Sequence, residues 1–487
     1  MRLDVKGNQE LRMYIGGQWV EASSGARIVV TSPVTGEQLA VVPRGTREDI
    51  GRAVRAARHA QPGFAAMTAF ERRDLCHAIA RAITRAREAL AAYLTLEQGK
   101  PYHSEALAEV DVTARMFSMA AEDITRLEAA VIPSADRVKR ILTIRQPRGV
   151  YGIITPWNFP LAIPAEYLSA GLAAGNAIVW VPAPTTAGCA VKLMECIVEA
   201  GVPEGIVNLV TGEGAEVGDE LAGHPEVDAI GFTGSSFTGR LVSCRAAGKP
   251  QLLELGGNSP TIVLEDADVS EAARRTGRGA FRNAGQICDS TERILVHRRV
   301  HDRFVEALLE VAACFRLGDP REPETTLGPL NNERPARQMD RHIEDAIQKG
   351  ARVLIGGRPQ GGFPTRLYYP ATVVDEVRPH MLLNLEETFG PVAPVMTFDD
   401  EEEAISIANG VPSGLVAALF TRDLGKAFRI AERLQAGIVN VNESTAYWQP
   451  HTPFGGYSGK SSGVGRLGGK YTLLEMTQIK TLVIDVG

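Results

Sequence analysis

No CxxC pair occurs in the chain, and its six cysteines stand far apart at 76, 189, 196, 244, 288 and 314. That spacing offers neither a zinc site nor a dithiol redox pair, so no metal is expected. Six cysteines among 487 residues are too few for a disulfide scaffold, and reduced thiols point to a cytoplasmic location. The opening MRLDVKGNQE has no charged-then-apolar secretion pattern. No apolar run approaches the roughly 20 residues that span a bilayer. The longest candidate, 170–181, is interrupted by Gly175 and Asn176. Basic charge is not in excess either: 52 Lys and Arg face 58 Asp and Glu, a net charge of −6. That balance excludes the footprint of a nucleic-acid or anionic-membrane partner and favours a small, mobile ligand.

What is present is a large apolar fraction, 44%, in a chain longer than one core usually holds, so two or three domains are expected. The first third reads mainly as helix, over 49–58, 69–96 and 105–128. Gly99-Lys100-Pro101 ends the second of these. From Val150 short apolar strands (150–154, 177–181, 206–210, 229–232) alternate with helices (163–174, 186–200, 215–223). That alternation means βαβ units and a parallel sheet, whose ligands sit beyond the strands' carboxyl ends. It resumes after Glu254, with helices at 269–283 and 300–315 and strands at 294–297, 351–355, 392–398 and 416–420. Segments 140–146 and 477–486 alternate apolar and polar residues. They read as strands exposed on one face, which a partner subunit would cover.

Several residues are equipped for chemistry. Cys288 ends Asn283-Ala284-Gly285-Gln286-Ile287-Cys288, where Gly285 lets the backbone approach a ligand closely. A thiolate attacks carbonyls and forms thioesters; the alternative is an inert buried cysteine. Glu254 stands between leucines ahead of Gly256-Gly257. Desolvation there would raise its pKa towards that of a general base; the alternative is a carboxylate bonded to local backbone. Asn158, in TPWNFP at 155–160, follows a strand and could donate to an oxyanion, or simply support its turn. Ser235, in FTGS at 232–235, could open a phosphate-binding helix terminus or act as an ordinary cap. Thr211-Gly212-Glu213-Gly214 carries GxG after a strand without the rest of GxGxxG.

Together, and in this order, these pieces resemble the aldehyde dehydrogenase superfamily. The likeness runs from Tyr14-Ile15-Gly16-Gly17-Gln18-Trp19 to the last strand. It is carried by TPWNFP, FTGS, ELGGNSP at 254–260, GQIC at 285–288, EETFGPV at 386–392 and PFGG at 453–456. The resemblance implies an α/β fold with a Rossmann-like cofactor domain (1–130 and 148–252), a catalytic domain (253–450) and a small β oligomerisation arm (131–147 and 470–487). It implies Cys288 as nucleophile, Glu254 as base and Asn158 as oxyanion donor. It places Trp157, Gly212, Ser235, Leu255, Glu387 and Phe389 on the cofactor. Val181 and Pro184 depart from the family's usual lysine and glutamate at the adenosine ribose. A 2′-phosphate needs a cation that Val181 cannot supply, so NAD is expected, with NADP as the alternative. Asp289, next to the nucleophile, would disfavour the thiolate if the two faced each other.

By the same analogy Phe159, Ile163, Glu166 and Tyr167 build the substrate pocket, with Ile287 and Asp289 beside the nucleophile. Tyr447, Trp448 and His451 come from the loop before PFGG. Two carboxylates and no Arg or Lys in that set favour a neutral aromatic or apolar aldehyde. An aminoaldehyde or a small hydroxyaldehyde or semialdehyde is the alternative. The expected reaction is aldehyde oxidation to the acid through a Cys288 thioester, in a homodimer or homotetramer. A CoA- or phosphate-coupled relative is the competing chemistry, which Glu254 argues against. A non-catalytic binding protein on the same fold is the competing class.

Overall fold

The computed structural model describes residues 8–487. The opening MRLDVKG, read above for a secretion signal and as the start of the cofactor domain, lies outside the described residues. No described helix is long and apolar enough to cross a membrane.

Two parallel-centred sheets dominate, each with its own apolar core. The first has eight strands, in the order Gly463–Val464, Gln251–Leu255, Ala229–Gly234, Val150–Thr155, Ala177–Pro182, Val207–Leu209, Met13–Ile15 and Gln18–Val20. The five from Gln251–Leu255 to Val207–Leu209 are parallel. From Val150–Thr155 the chain first winds outward through Ala177–Pro182 and Val207–Leu209. It then returns to add Ala229–Gly234 and Gln251–Leu255 on the other side. The order therefore reverses between Val150–Thr155 and Ala229–Gly234, and the crevice beyond their carboxyl ends is where such sheets bind ligands.

The second sheet has seven strands, in the order Arg352–Ile355, Thr372–Asp375, Val392–Phe398, Thr291–His297, Ser259–Val263, Val416–Phe420 and Ile438–Val441. All neighbours are parallel except the first pair. The chain passes from one sheet to the other through Gly256-Gly257-Asn258.

The first third holds more strand than its composition suggests. Residues 9–43 form five short strands, among them the hairpin Met13–Ile15/Gln18–Val20, turned by Gly16 and Gly17 at positive φ. The helix expected over 69–96 is two helices, Ala69–Arg85 and Arg87–Gln98, with a bend at Ala86. A continuous helix of that length would run about 42 Å; the bend instead sinks the stretch from Leu90 to Gln98 into the core. Thr68 and Glu71 cap the first piece reciprocally, at 3.2 and 2.7 Å. The helix expected over 105–128 opens with a π-helical turn, Tyr102–Ala106, and continues over Leu107–Ile124.

The two strands read as isolated are each other's partners. Lys139–Pro147 and Thr477–Asp485 pair antiparallel along their whole length, and Val131–Ile132 joins the other edge. The outer edge of Thr477–Asp485 has no strand beside it among the described residues.

Candidate active site

Cys288 lies between the two sheets, on the segment that feeds Thr291–His297. The helix Val269–Phe281 ends just upstream, and Asn283, Ala284 and Gly285 take left-handed backbone at φ 49, 53 and 70. A Cβ at Gly285 would stand 2.0 Å from the Gly390 carbonyl oxygen, so this tight crossing admits only glycine. Buried side chains pin the loop. Glu105 accepts from the Asn283 amide at 3.0 Å. Gln286 donates to the Asn283 carbonyl at 2.9 Å and accepts from the Asn331 amide at 2.9 Å.

Glu254 reaches the same point from the first sheet, on the strand Gln251–Leu255. Its carboxyl and the Cys288 thiol line one cavity, close enough for each to shift the other's titration. Glu254 Oε1 is buried without a hydrogen-bond partner. Burial first, and then the Glu166 carboxylate, push Glu254 well above the ordinary carboxyl range. Burial also raises the Cys288 thiol, followed by Glu254, Asp289 and Glu387. Asp289 does bear on the nucleophile, then; its own carboxyl is pushed up to about 6 by burial, and Oδ1 has no partner.

Asn158 sits in the turn after Val150–Thr155. Its Nδ2 donates to the Gln286 carbonyl at 3.0 Å. Its carbonyl accepts from Lys100 Nζ at 2.9 Å and from Asn283 Nδ2 at 3.2 Å. Lys100 is buried, paired with Glu109, and lies 3.8 Å over the Phe159 ring. Glu109 in turn accepts the amides of Leu161 and Ala162 at 3.0 and 3.2 Å. Sequence reasoning took Lys100 only as part of a helix stop and did not single out Glu109. Only the fold brings them to Asn158.

The residues assigned to a cofactor gather around the same crevice. Trp157 and Phe389 meet edge-to-face with centroids 5.5 Å apart. Buried Glu292 accepts the Thr388 and Phe389 amides at 3.0 and 2.9 Å, holding Phe389 at φ 56. Glu387 Oε1 accepts the Gly257 amide at 3.2 Å. A Cβ on Gly256 would stand 2.7 Å from Glu387, and one on Gly257 2.1 Å from the Cys288 carbonyl, so the Gly-Gly turn admits both neighbours. Ser235 caps the helix Ser236–Arg245 at the switch point, accepting from Thr238 at 3.2 Å. Leu255 ends the neighbouring strand, and a side chain on Gly212 would press on Val217 at 3.0 Å. These residues border the crevice in which a doubly wound sheet binds a dinucleotide. Beside buried Val181 and half-buried Pro184, the hydroxyls of Thr185 and Thr186 are buried without partners.

Cys288, Glu254 and Asp289 open into a cavity of about 190 Å³. Phe159, Ile163, Glu166, Ile287 and Trp448 line it, as do Met116, Pro450 and Phe454. Tyr447 and His451 are not in the lining. The turn closed by Thr452 onto the Gln449 carbonyl at 2.9 Å carries His451 outward, into a separate cleft with Glu122, Asp123 and Lys470. Tyr447 is half exposed, its hydroxyl accepting from Gln449 at 2.6 Å. Tyr167 is buried behind the wall, bonded to Thr233 at 2.9 Å.

The expectation of a pocket without Arg or Lys is corrected. Arg282 lines the cavity, with its guanidinium 6.0 Å from the centre of the Phe159 ring. It stands six residues before Cys288, and the left-handed bend at 283–285 turns the chain back so that both side chains reach one space. Counting sequence neighbours of the nucleophile could not find it. Among the described residues no His, Cys, Asp and Glu cluster could hold a metal ion.

A thiol and a carboxyl open into one cavity, with an amide anchored to the thiol's loop, at the switch point of a doubly wound sheet, the arrangement of an enzyme site. Comparison with known proteins makes this specific: residues 19–482 match the model of the aldehyde dehydrogenase family, and the chain belongs to that family. It is accordingly an aldehyde oxidoreductase. It is 39% identical, over the whole of both chains, to the succinate-semialdehyde dehydrogenase [NADP(+)] of Escherichia coli (strain K12). It is likewise 39% identical to a glutarate-semialdehyde dehydrogenase of Pseudomonas putida, covering 97% of each. The solved NAD-dependent aldehyde dehydrogenase of Sinorhizobium meliloti superposes with a TM-score of 0.95 at 36% identity, covering 100% of this chain and 96% of that one. The mixed α/β architecture is that of the family.

Proposed function

We propose that the protein oxidises a carboxylate-bearing aldehyde to the acid, with NAD(P) as cofactor, through a thioester on Cys288. The observation that carries the chemistry is the cavity shared by the Cys288 thiol and Glu254, with Asn158 anchored to the loop that leads to Cys288. Cys288, once deprotonated, attacks the aldehyde carbon. Asn158 spends one Nδ2 hydrogen on Gln286 and keeps the other for the oxyanion, alongside the Cys288 amide. Bound NAD(P)⁺ supplies the hydride acceptor, which no side chain can be. Trp157, Phe389 and Glu387 would hold its nicotinamide end, and Ser235 its phosphates. Glu254 then takes a proton from water, which hydrolyses the thioester and frees the acid.

The substrate reading rests on Arg282, a cation inside the cavity whose side chain makes no hydrogen bond or ion pair among the described residues, with the Glu105 and Asp289 carboxyls near enough to feel its charge. An anionic aldehyde would supply such a pair. The semialdehyde activities named for the two relatives support it. The neutral aromatic aldehyde keeps one supporting observation, the apolar walls from Met116, Phe159 and Trp448. Rates with succinic semialdehyde, benzaldehyde and an aminoaldehyde, each with NAD and NADP, test this. A benzaldehyde kcat/KM about tenfold above that of the semialdehyde, some 1.4 kcal/mol, would overturn it.

We also propose a cytoplasmic homodimer or homotetramer. All six cysteines are free. The arm sheet exposes Val131, Ile479 and Val483, beside an unpaired edge. Light scattering that gave a monomer at micromolar concentration would contradict the assembly.

A further inference from the structure

Glu166 is a cavity carboxyl for which the chemistry above has no use. It sits in the first turns of the helix Ala162–Ala174, half-buried and open to the cavity that holds Cys288 and Arg282. Apolar Met116, Ile163 and Pro450 share that lining. Among the described residues the Glu166 side chain makes no hydrogen bond and no ion pair, and neither does the Arg282 side chain, although its charge acts on the carboxyls of Glu105 and Asp289. Of the other cavity carboxyls, Glu109 is paired with Lys100, Glu254 shares the cavity with the thiol, and Asp289, with Oδ1 unpartnered, stands next to Cys288 under the influence of Arg282.

The cavity thus offers one small molecule two side chains of opposite charge type, neither of them held in a hydrogen bond or ion pair. A substrate carrying only negative charge would pair with Arg282 and leave Glu166 unmatched. We propose that Glu166 receives an ammonium group, and that the substrate is a zwitterionic semialdehyde: an amino acid whose side chain ends in the aldehyde. Its carboxylate pairs with Arg282, its ammonium with Glu166, and its aldehyde carbon meets Cys288. This rests on the reading of Arg282 as an anion anchor.

Burial supports the pairing. Desolvation holds the Glu166 carboxyl up to about 8, so the empty site carries it largely protonated at neutral pH. An ammonium placed beside it favours the ionised form and gives the carboxylate the partner that the protein does not supply.

The test compares succinic semialdehyde with its 2-amino derivative, aspartate 4-semialdehyde, and its 2-hydroxy derivative. Each is assayed with the wild-type enzyme, Glu166→Gln and Arg282→Met. The expected result is a kcat/KM for the amino compound about tenfold or more above the other two, the gain of one hydrogen bond to a charged group. Glu166→Gln should bring the amino-to-unsubstituted ratio close to one. A wild-type ratio at or below one, a ratio that Glu166→Gln leaves unchanged, or a hydroxy compound as good as the amino compound would overturn the proposal. Arg282→Met separates the two readings, because it should lower kcat/KM for all three carboxylated aldehydes. If it does not, the anion anchor itself fails. Should Glu166→Gln not fold, protection of the wild-type thiol from iodoacetamide decides: aspartate must protect better than succinate, and equal protection would sink the idea.

Discussion

Asn158 donates its side-chain amide to the backbone carbonyl of Gln286 at 3.0 Å, two residues before Cys288. The oxyanion donor candidate is therefore tied directly to the nucleophile's loop, although one follows the first sheet and the other feeds the second. The Lys100–Glu109 pair completes the clamp from behind.

Lys100→Met leaves Glu109 buried without its cation. We expect a loss of about 3–5 kcal/mol in stability, as for breaking a buried ion pair from one side. Replacing both residues with methionine should recover much of that stability while kcat stays low, because Asn158 has still lost its anchor. Thermal melts and initial rates on the singles and the double check this. A double variant with wild-type kcat would show that the clamp does not position Asn158.

Gly257→Ala places a methyl 2.1 Å from the Cys288 carbonyl oxygen, closer than atoms can stand. The nucleophile loop must shift. A displacement near 1 Å costs about a hundredfold in rate. We expect that loss in kcat with a smaller change in nucleotide affinity, measured by fluorescence titration. Unchanged turnover would mean that the loop yields without moving the thiol.

Asp289→Asn removes one of the negative charges that raise the Cys288 thiol. Above about pH 6 that carboxyl is ionised, so its loss favours the thiolate. The curve of iodoacetamide labelling against pH should move to lower pH, never higher. Labelling at pH 8 should be faster in the variant. Superimposed curves would show that burial and Glu254 alone set the thiol.

Glu254→Gln should slow deacylation more than hydride transfer. Stopped flow is expected to give a burst of NAD(P)H close to the site concentration and then a slow steady rate. An equal fall in both phases would count against a base confined to hydrolysis.

The parallel strands were legible because short apolar runs between helices admit little else: Val392–Phe398 and Val416–Phe420 agree to the residue. That Cys288, Glu254 and Asn158 come together was legible because each sits in a constrained motif, while their roles are the proposal above. What escaped depended on chain reversals and distant pairings. Arg282 enters the pocket only because Asn283 and Ala284 adopt left-handed backbone, which Asn tolerates but Ala gives no sign of. Tyr447 and His451 share a loop with Trp448, but the turn at Gln449 points them elsewhere. The arm strands each looked unpartnered because their pairing joins residues more than 300 positions apart, as in the Lys139–Asp485 ion pair.

Because the Cys288 thiol comes with one sheet and Glu254 and Asn158 with the other, the proposed turnover reports how the two halves of the molecule seat together. Each sheet packs on its own apolar cluster, so we expect the seam between them to loosen before either core does. Mild urea should therefore silence the enzyme before circular dichroism registers any loss of helix or strand. A small molecule wedged into that seam would act as an inhibitor without touching any reacting atom.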